Sequence, residues 1–477
     1  MTTPLWTLEE IATVTGGRIG AGVVPASGAS IDTRTLAPGD LYFAIRGDVH
    51  DGHDFVPAAL EKGASAAVVS DEKAAAFKGS DRLVVVPDVL EAMRRLGRAA
   101  RARSRAKIVA ITGSVGKTGT KEALRLALAR QGATHASVAS YNNHWGVPLT
   151  LARMPRESEF GVFEIGMNHA EEILPLTAMV RPHVAVVTTI EPVHIEFFRS
   201  IWGIADAKGE IFSGLEPGGT AVLNRDNPYF ERLRAHALAS PAGRILTFGE
   251  TEGADIRAER IVVKPDLSVV EARVFGQPLT YRIGMPGRHI ALNSLSVLAA
   301  AHALGADLAL TALAFSDLKP PVGRGERTML SLRDGEALLI DESYNANPAS
   351  MRAALANLGA VELARHGRRI AVLGDMKELG EEGPALHEGL VEAVEAGRVD
   401  RLYAAGALMG HLVEKLPKAK VIAHAPSSAE LVEVVCADLR PGDAVMVKGS
   451  LSMKMALVVK ALKERYGAGQ TSQALKG

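Results

Sequence analysis

The sequence predicts an α/β protein with three domains: a small α/β N-terminal domain, a central domain on a mostly parallel sheet, and a C-terminal Rossmann-like α/β domain. Three observations lead to this prediction. The chain has 477 residues, more than one hydrophobic core usually serves. Short apolar segments alternate with helical segments through residues 84–467, which is typical of a sheet covered by helices. A glycine-rich turn joins an apolar strand to a helix within residues 108–131.

The first domain is expected at residues 1–83. The stretch "IDTRTLAPGDLYFAIRG" predicts a strand pair around the turn Pro38-Gly39-Asp40, because Pro, Gly and Asp favour turns. A predicted helix, "FVPAALEKGA", and a predicted strand, "SAAVVS", follow it. Together these elements form a small α/β unit.

The central domain is expected at residues 84–316. It opens with a helix in "RLVVVPDVLEAMRRLGRAAR", and its later strands are "FGVFEIG", "VAVVTTI", "GTAVLN" and "RILTFG". Residues 254–281 alternate in the manner of hairpins, and a helix, "ALNSLSVLAAAHAL", closes the domain. The alternation of strands and helices favours a mostly parallel sheet.

The third domain is expected at residues 317–467 and repeats the strand–helix rhythm. Its predicted strands are "ALLIDES", "RIAVLGD", "RLYAAG", "KVIAHA" and "DAVMVKGS". This pattern predicts a second open α/β sheet. Residues 468–477 are expected to form a flexible tail.

The glycine-rich turn at residues 112–118 resembles a phosphate loop but has a shorter spacing. A standard Walker A loop has its first glycine five residues before the second, and here that position is Ile111. An apolar strand precedes the turn and a helix follows, so backbone amides at the helix start would face an anion. Lys117 would add a charge and the Thr118 hydroxyl could bind magnesium. We therefore expect a P-loop ATPase domain; the alternative is an ordinary strand–helix turn with a solvated lysine.

Composition excludes several classes of protein. Hydrophobic residues make up 47% and charged residues 23%, which is typical of a globular protein. Basic and acidic residues balance at 54 each, so charge favours neither nucleic acid nor a membrane surface as a partner. The single cysteine, Cys436, excludes a disulfide framework, and no run of apolar residues is long enough to span a bilayer. Because the start also lacks a signal-peptide layout, we expect a cytoplasmic protein with no membrane insertion.

Three further residues follow predicted strands or lie on a helix of the central domain. Glu164 ends an apolar strand, where a buried carboxylate needs a partner such as magnesium, or else faces water. His194 follows the strand "VAVVTTI", and Lys208 lies on an amphipathic helix. An isolated histidine is more often structural, and a helical lysine is usually solvated, so spacing alone leaves both readings open.

The chain resembles the Mur ligase family, ATP-dependent enzymes that build the peptide of peptidoglycan precursors. The loop Thr112-Gly113-Ser114-Val115-Gly116-Lys117-Thr118 is similar to that family's T-G-[ST]-x-G-K-[ST] form. Other motifs that carry the resemblance are "DTRTLAPGDLYFAIRG", "NNHWGVPLTL", "EIGMNHAEEI", "GIADAKGEIF", "IDESYNANPASM", "LGDMKELG" and "VKGSLSMKM". "SYNANP" with "LGDMKELG" is most similar to the branch that joins D-alanyl-D-alanine to UDP-N-acetylmuramoyl-tripeptide.

The resemblance implies a set of nucleotide and metal residues. Lys117, Lys208, His194 and Glu164 would be catalytic, and a metal site with two Mg²⁺ ions would use Thr118, Glu164, His194 and a carbamylated Lys208. The family's H-N-x-x-N pattern here retains only its second asparagine, Asn293. The residues that would bind ATP are Gly113, Ser114, Val115, Gly116, Lys117, Thr118, Gly119, Asn293, Arg324, Asp341 and Tyr344.

The resemblance also implies residues for the two other substrates. The UDP end would lie at Asp32, Thr33, Arg34, Asp51 and His53, while the sugar-peptide and dipeptide would lie near Asn142, Asn143, Asn345 and Asn347. Each match has a structural alternative. Residues 51–53 could be only a turn, and Asn142-Asn143 could cap or turn a loop. Asn345-Ala346-Asn347-Pro348 could be an N-terminal helix signal, and Arg324 with Asp341 could be a structural ion pair.

The implied reaction phosphorylates a substrate carboxylate with ATP and then forms an amide, and the implied enzyme is a monomer. Two other functions stay open. A sister ligase would add a different amino acid, and a nucleotide-dependent switch or scaffold would use the ATP site only to control binding.

Overall fold

The computed structural model describes residues 4–138, 140–193, 195–198 and 200–467 of the chain. It is an α/β protein with three sheets of five, nine and six strands. The predicted fold class is confirmed. The predicted tail at residues 468–477 and His194 lie outside the described residues.

The first sheet has the strand order β1-β5-β4-β3-β2. β1 is antiparallel to β5 and the other neighbours are parallel. Its strands are β1 (Arg18–Ile19), β2 (Gly28–Ser30), β3 (Asp40–Phe43), β4 (Ala66–Ser70) and β5 (Leu83–Val86). Its helices are α1 (Leu8–Thr15), α2 (Val56–Glu61), α3 (Asp71–Ala74) and α4 (Val89–Arg103). The helix and strand predicted after the first turn are confirmed.

The predicted strand pair around Pro38-Gly39-Asp40 is wrong. Only β3 follows that turn, and its partner β2 ends before Ile31 and runs parallel to it. The Gly39 amide donates to the Gly63 carbonyl, and the Gly39 carbonyl accepts from the Ser27 amide. The turn is therefore held by residues distant in the sequence. The loop before it connects the end of β2 to the start of β3, as a parallel pair requires.

The predicted boundary between residues 83 and 84 falls inside β5. This strand pairs with β1 and β4 of the first sheet, and α4 buries Val89, Met93 and Leu96 in the same core. We therefore propose that the first unit extends to Arg103.

The second sheet has the order β14-β13-β12-β11-β10-β9-β6-β8-β7. The strands from β6 to β11 are parallel, and β12 to β14 form the predicted antiparallel hairpins. The strands are β6 (Lys107–Thr112), β7 (Thr134–Ala136), β8 (Phe160–Glu164), β9 (Val184–Val187), β10 (Thr220–Asn224), β11 (Arg244–Gly249), β12 (Ile256–Val263), β13 (Ser268–Val274) and β14 (Gln277–Ile283). The helices are α5 (Lys117–Ala129), α6 (Gly146–Ala152), α7 (Ile173–Val180), α8 (Ile201–Gly209), α9 (Phe230–Leu238), α10 (Arg288–Ala303) and α11 (Leu308–Ala314).

The third sheet has the order β15-β16-β20-β17-β18-β19 and is parallel except for β15. Its strands are β15 (Glu326–Leu332), β16 (Gly335–Glu342), β17 (Arg369–Gly374), β18 (Arg401–Ala405), β19 (Val421–Ala425) and β20 (Ala444–Lys448). Its helices are α12 (Pro348–Gly359), α13 (Gly383–Glu388), α14 (Val391–Ala396), α15 (Met409–Lys415), α16 (Ser428–Asp438) and α17 (Ala456–Tyr466). The five predicted strands are confirmed, and β15 is an additional edge strand.

The sheets place polar residues at the carboxyl ends of neighbouring strands. The glycine-rich turn follows β6, Glu164 ends β8, and residues 188–193 follow β9, all on adjacent strands of the second sheet. In the third sheet Glu342 and Lys448 are register partners at the ends of β16 and β20. Such ends are where ligands bind in open α/β sheets. None of the described helices has the length and apolar character needed to cross a membrane.

Candidate active site

A cavity of about 590 Å³ lies between the second and third units. The second unit contributes the glycine-rich turn, Asn142, Glu164 and Asn293 to its wall. The third unit contributes Arg324, Tyr344, Asn345, Asn347 and Lys448. The structure thus brings most of the predicted nucleotide and metal residues to one place.

Close packing explains the two glycines of the short loop. Gly113 has φ +146° and Gly116 has φ +87°, values that side chains rarely adopt. A Cβ atom at Gly113 would collide with the Thr188 hydroxyl, and one at Gly116 would collide with the Asn293 amide. The Thr188 hydroxyl instead donates to the Val115 carbonyl at 2.6 Å. Contacts with the next strand and with α10 therefore fix the loop without a glycine at Ile111.

Lys117 starts α5 and folds over this loop. Its ammonium donates to the Gly113 carbonyl at 2.6 Å and lies 3.4 Å from the Ser114 carbonyl. Burial lowers the pKa of Lys117, and the negative charge of Glu164 opposes that shift. The lysine is therefore a partly desolvated donor at the glycine-rich end of the cavity, where its field is strong.

Glu164 has one oxygen with a partner and one without. Only 1% of the residue is exposed. Its Oε1 accepts a 2.7 Å hydrogen bond from the Asn142 amide, whereas Oε2 is buried and accepts none from the described residues. The buried Thr118 hydroxyl lies 3.4 Å from the Ser140 hydroxyl. A carboxylate oxygen and a hydroxyl with spare capacity match the hard oxygen ligands that Mg²⁺ prefers.

Lys208 lies in α8 and only 2% of it is exposed. Burial lowers its pKa well below the usual value, and the like charge of Lys117 lowers it further. The solvated alternative is therefore wrong for this lysine. Among the described residues no group of three His, Cys, Asp or Glu side chains is placed to hold a metal, and His194 is not one of those residues.

Asn142 and Asn143 face different surroundings. Asn142 donates to Glu164 and lines the cavity. The Asn143 side-chain oxygen accepts from the Trp145 and Gly146 amides at 3.2 and 2.9 Å, at the start of α6. The Asn143 side chain thus holds the turn that leads into α6, as the cap-or-turn alternative predicts, whereas Asn142 donates to Glu164.

The third unit provides an aromatic and cationic wall. The Arg324 guanidinium lies 4.3 Å from the centre of the Tyr344 ring, which is within the range of a cation–π contact. Asn345 accepts from the Ala346 amide, and Asn347 caps α12 in a capping box with Ser350. Both asparagines still line the cavity.

Asp341 is buried outside the described cavity wall. Its carboxylate accepts from the Ser343 amide at 3.0 Å and from the Ser343 hydroxyl at 2.6 Å. These contacts hold the turn after β16 and thereby position Tyr344. The predicted direct approach of Asp341 to a nucleotide stays a prediction.

The first unit's predicted residues lie apart from this cavity. Asp32 accepts a bidentate contact from the exposed Arg34, which lowers the pKa of Asp32, and the Thr33 carbonyl accepts from Lys62. A second cavity, of about 320 Å³, lies beside this segment and is lined by Thr35, Asp40, Tyr141 and Arg153, among others.

Asp51 and His53 are hydrogen-bonded to each other. The His53 Nε2 accepts from the Ser70 amide at 3.0 Å, so Nδ1 carries the proton and donates to Asp51 at 2.6 Å. Only 6% of His53 is exposed. The geometry matches the turn alternative, because both ring nitrogens already have partners.

Several cavity residues were not identified from the sequence, among them Glu191, His289, Glu342 and Lys448. Lys448 donates to the Asn345 carbonyl at 3.0 Å and lies 3.4 Å from Glu342. Burial lowers the pKa of His289, opposed by Glu342. Glu342 and Lys448 end predicted strands, which is the signal that could have found them. His289 is the first residue of the H-N-x-x-N pattern, from which only Asn293 was predicted to contact the nucleotide, and Glu191 carries no spacing signature.

Three models of one family match successive parts of the chain. They are the Mur ligase family, catalytic domain, at residues 25–103; the Mur ligase middle domain, at 111–301; and the Mur ligase, glutamate ligase domain, at 324–451. Among the solved structures, MurF from Acinetobacter baumannii has a TM-score of 0.82 at 27% identity, covering 96% of this chain and 99% of that one. MurF from Thermotoga maritima in complex with ADP has a TM-score of 0.72 at 25% identity, covering 92% and 98%.

Curated relatives match along nearly the whole chain. A UDP-N-acetylmuramoyl-tripeptide–D-alanyl-D-alanine ligase of Escherichia coli is 32% identical, covering 96% of this chain and 98% of the relative. The ligase of that name from Rickettsia prowazekii is 30% identical, covering 95% and 99%. On this similarity, the chain belongs to the Mur ligase family.

Proposed function

We propose that the chain joins D-alanyl-D-alanine to UDP-N-acetylmuramoyl-tripeptide with ATP, giving the pentapeptide precursor of peptidoglycan, ADP and phosphate. The observation that carries the proposal is the match to ligases of that name along 95% of the chain or more. A cavity that combines a phosphate loop with polar groups from a third unit supports it. As an ATP-dependent ligase it forms a C–N bond.

The chemistry follows from the charge of the reactants. A carboxylate is a poor electrophile, so the γ-phosphoryl group of ATP is first transferred to the tripeptide carboxylate, giving an acyl phosphate and ADP. The dipeptide amine then attacks the acyl carbon and phosphate leaves. Lys117 and the loop amides would bind the nucleotide phosphates, and Arg324 would approach from the other wall, because cations must offset the charge of two anions that meet.

The residues present fit a magnesium ion at the phosphate end. Thr118 and the free Oε2 of Glu164 would hold it, with Asn142 orienting the carboxylate through Oε1. The ion, when bound, would supply positive charge to the phosphoryl oxygens. Proteins usually contribute only one or two ligands to Mg²⁺, here a carboxylate and a hydroxyl, and phosphates and water supply the others.

We propose that a second ion uses His194 and a carbamylated Lys208. A neutral amine attacks carbon dioxide, loses one proton and becomes a carbamate with negative charge. The lowered pKa of Lys208 favours the neutral amine that this reaction needs. Carbamylation would thus turn a buried lysine into an anion and remove its electrostatic repulsion with Lys117.

Two further properties complete the proposal. We propose that the protein is cytoplasmic, because ATP and a UDP-linked substrate would be available there. We also propose that it is a monomer, because one chain contributes both walls of the cavity. Closure of the third unit on the second would complete the site around ATP.

Phosphate release by purified protein with ATP and magnesium tests the function. UDP-N-acetylmuramoyl-tripeptide and D-alanyl-D-alanine are supplied together and then each is omitted. Release that needs both, with a product heavier by the dipeptide less water, is expected. Release with a single amino acid would identify a sister ligase, and no release under any pairing would favour a nucleotide-dependent switch.

A further inference from the structure

Glu191 lies beside the phosphate loop and is held there by its backbone. The Ser114 hydroxyl donates to the Glu191 carbonyl at 3.0 Å, and the Glu191 amide donates back to that hydroxyl at 2.9 Å. The Ser114 amide also donates to the Thr189 carbonyl at 2.9 Å. These contacts fix the position of Glu191 relative to the loop that would bind the phosphates.

Glu191 differs from the three other glutamates that line the described cavity. Glu122 is paired with Lys121 and Arg125, Glu164 accepts from Asn142, and Glu342 lies 3.4 Å from the Lys448 ammonium. The Glu191 carboxylate is half-buried and accepts no hydrogen bond from any residue that the structure describes. A half-buried carboxylate without a hydrogen-bond partner among the described residues, in the proposed ATP cavity, is available to a ligand that is a cation or a proton donor.

The reaction supplies such a ligand. D-Alanyl-D-alanine enters with an ammonium group, and only the neutral amine can attack the acyl phosphate. This ammonium is a cationic group that must lie at the reacting carbon, whereas ATP and the tripeptide carboxylate would be repelled by Glu191. The acyl phosphate forms at the loop against which Glu191 is fixed.

We propose that Glu191 binds the ammonium of the incoming dipeptide and accepts its proton; this inference rests on the proposed function. The ammonium gives one proton to the carboxylate, and the nitrogen lone pair then forms the C–N bond. The C–O bond to phosphate breaks with its electron pair, and the leaving phosphate takes a second proton from the nitrogen. Glu191 returns its own proton to water, so the net products are the amide, phosphate and one proton.

The surrounding charges are compatible with this role. Burial raises the pKa of Glu191, which strengthens it as a proton acceptor, and Arg352 of α12 moderates that rise. Arg352 belongs to the third unit, so the charge that moderates the pKa of Glu191 comes from the other side of the cavity's unit boundary.

Hydroxylamine separates this role from a structural one. It is largely unprotonated at neutral pH and traps acyl phosphates as hydroxamates, so it needs no proton acceptor. Glu191→Gln should lower the rate of pentapeptide formation about 100-fold, the size of a lost general base, while hydroxamate formation stays within about twofold of wild type. Glu196→Gln, an exposed glutamate on the same segment, is the matched control and should change neither rate.

The hydroxamate rate is also the test of folding, because it requires bound ATP, bound tripeptide and a formed acyl phosphate. An equal fall of both rates, or an unchanged pentapeptide rate, would overturn the role of Glu191. If the wild-type protein itself forms no pentapeptide, the proposed function is overturned together with the role of Glu191. Failure of the function is therefore seen in the wild type, whereas failure of the Glu191 role is seen only in the variant.

Discussion

Replacing Glu164 with glutamine should abolish ligation and stabilise the free protein. The change keeps the shape of the side chain and the hydrogen bond from Asn142, whose amide can donate equally to a glutamine oxygen. It removes a charge that is almost fully buried and has one oxygen without a partner among the described residues. A buried ion costs several kcal/mol of desolvation, which Lys117 offsets in part.

The expected gain in the free energy of unfolding is therefore about 1–2 kcal/mol. For a unit of this size each kcal/mol moves the Tm by about 2–4 °C, so Glu164→Gln should melt about 2–8 °C higher than wild type without nucleotide. Turnover should fall at least about 100-fold, as for the loss of one preorganised electrostatic group. Thermal melts and phosphate release measure the two effects on one preparation.

Glu231→Gln is the matched control, because this carboxylate is 76% exposed and should change the Tm and turnover little. Magnesium with ATP at about 100 times its Kd should add about 2.7 kcal/mol to wild type and much less to Glu164→Gln. A lower Tm for Glu164→Gln would show that the charge is fully compensated in the free protein. Unchanged turnover would refute the metal-binding role.

Three other predictions follow from the site. The lowered pKa of Lys208 means that the native protein binds fewer protons there than the unfolded chain, so its stability rises with pH from that lowered pKa up to about 10.4. Lys208→Met should flatten this rise, measured by urea unfolding at two pH values, and should abolish ligation. Lys208→Arg should also be inactive, even with added bicarbonate. An active Lys208→Arg enzyme would refute carbamylation. Asn143→Ala should cost about 1 kcal/mol of stability, because the Trp145 and Gly146 amides lose their acceptor at the start of α6, and should leave the KM for substrates within about twofold. A KM effect without a stability effect would restore the binding role. His53→Ala should destabilise the first unit by about 1–3 kcal/mol in urea unfolding, because it leaves the Ser70 amide without its acceptor and removes the ring contact to Asp51. Binding of the UDP substrate to the folded variant should be unchanged, and weaker binding would refute this structural assignment.

The predicted strands agreed with the structure wherever an apolar run was long enough to specify a buried strand. The error at Pro38-Gly39-Asp40 arose because a turn signal is local while strand pairing is not. The turn was correct, but β3 pairs with β2 and β4 in parallel, and the contacts of Gly39 come from Ser27 and Gly63. The boundary between residues 83 and 84 stays a prediction, and nothing in "RLVVVPD" indicates which sheet will contain β5, which pairs with β1 and β4.

The location of site residues could be predicted from the sequence where they follow neighbouring strands of one sheet. The loop and Glu164 follow adjacent strands, so topology alone brings them together. Asn143 and Asn347 could not be assigned from sequence, because an asparagine that caps a helix and one that binds a ligand have the same local pattern. Glu191 was missed because its significance lies in the hydrogen bonds of its backbone to Ser114 and in the partners that the other glutamates have.

The charges of the cavity favour the proposed use of a divalent cation. Within the described wall, four basic side chains, Lys117, Lys319, Arg324 and Lys448, face four glutamates. The wall is therefore close to neutral before any substrate enters, and Glu342 and Lys448 largely satisfy each other. ATP and a carboxylate add several negative charges at the place where one anion must attack another. Lys117 and Arg324 cannot offset that charge alone, so the free oxygen of Glu164 and the Thr118 hydroxyl are best understood as ligands for positive charge that arrives with the nucleotide.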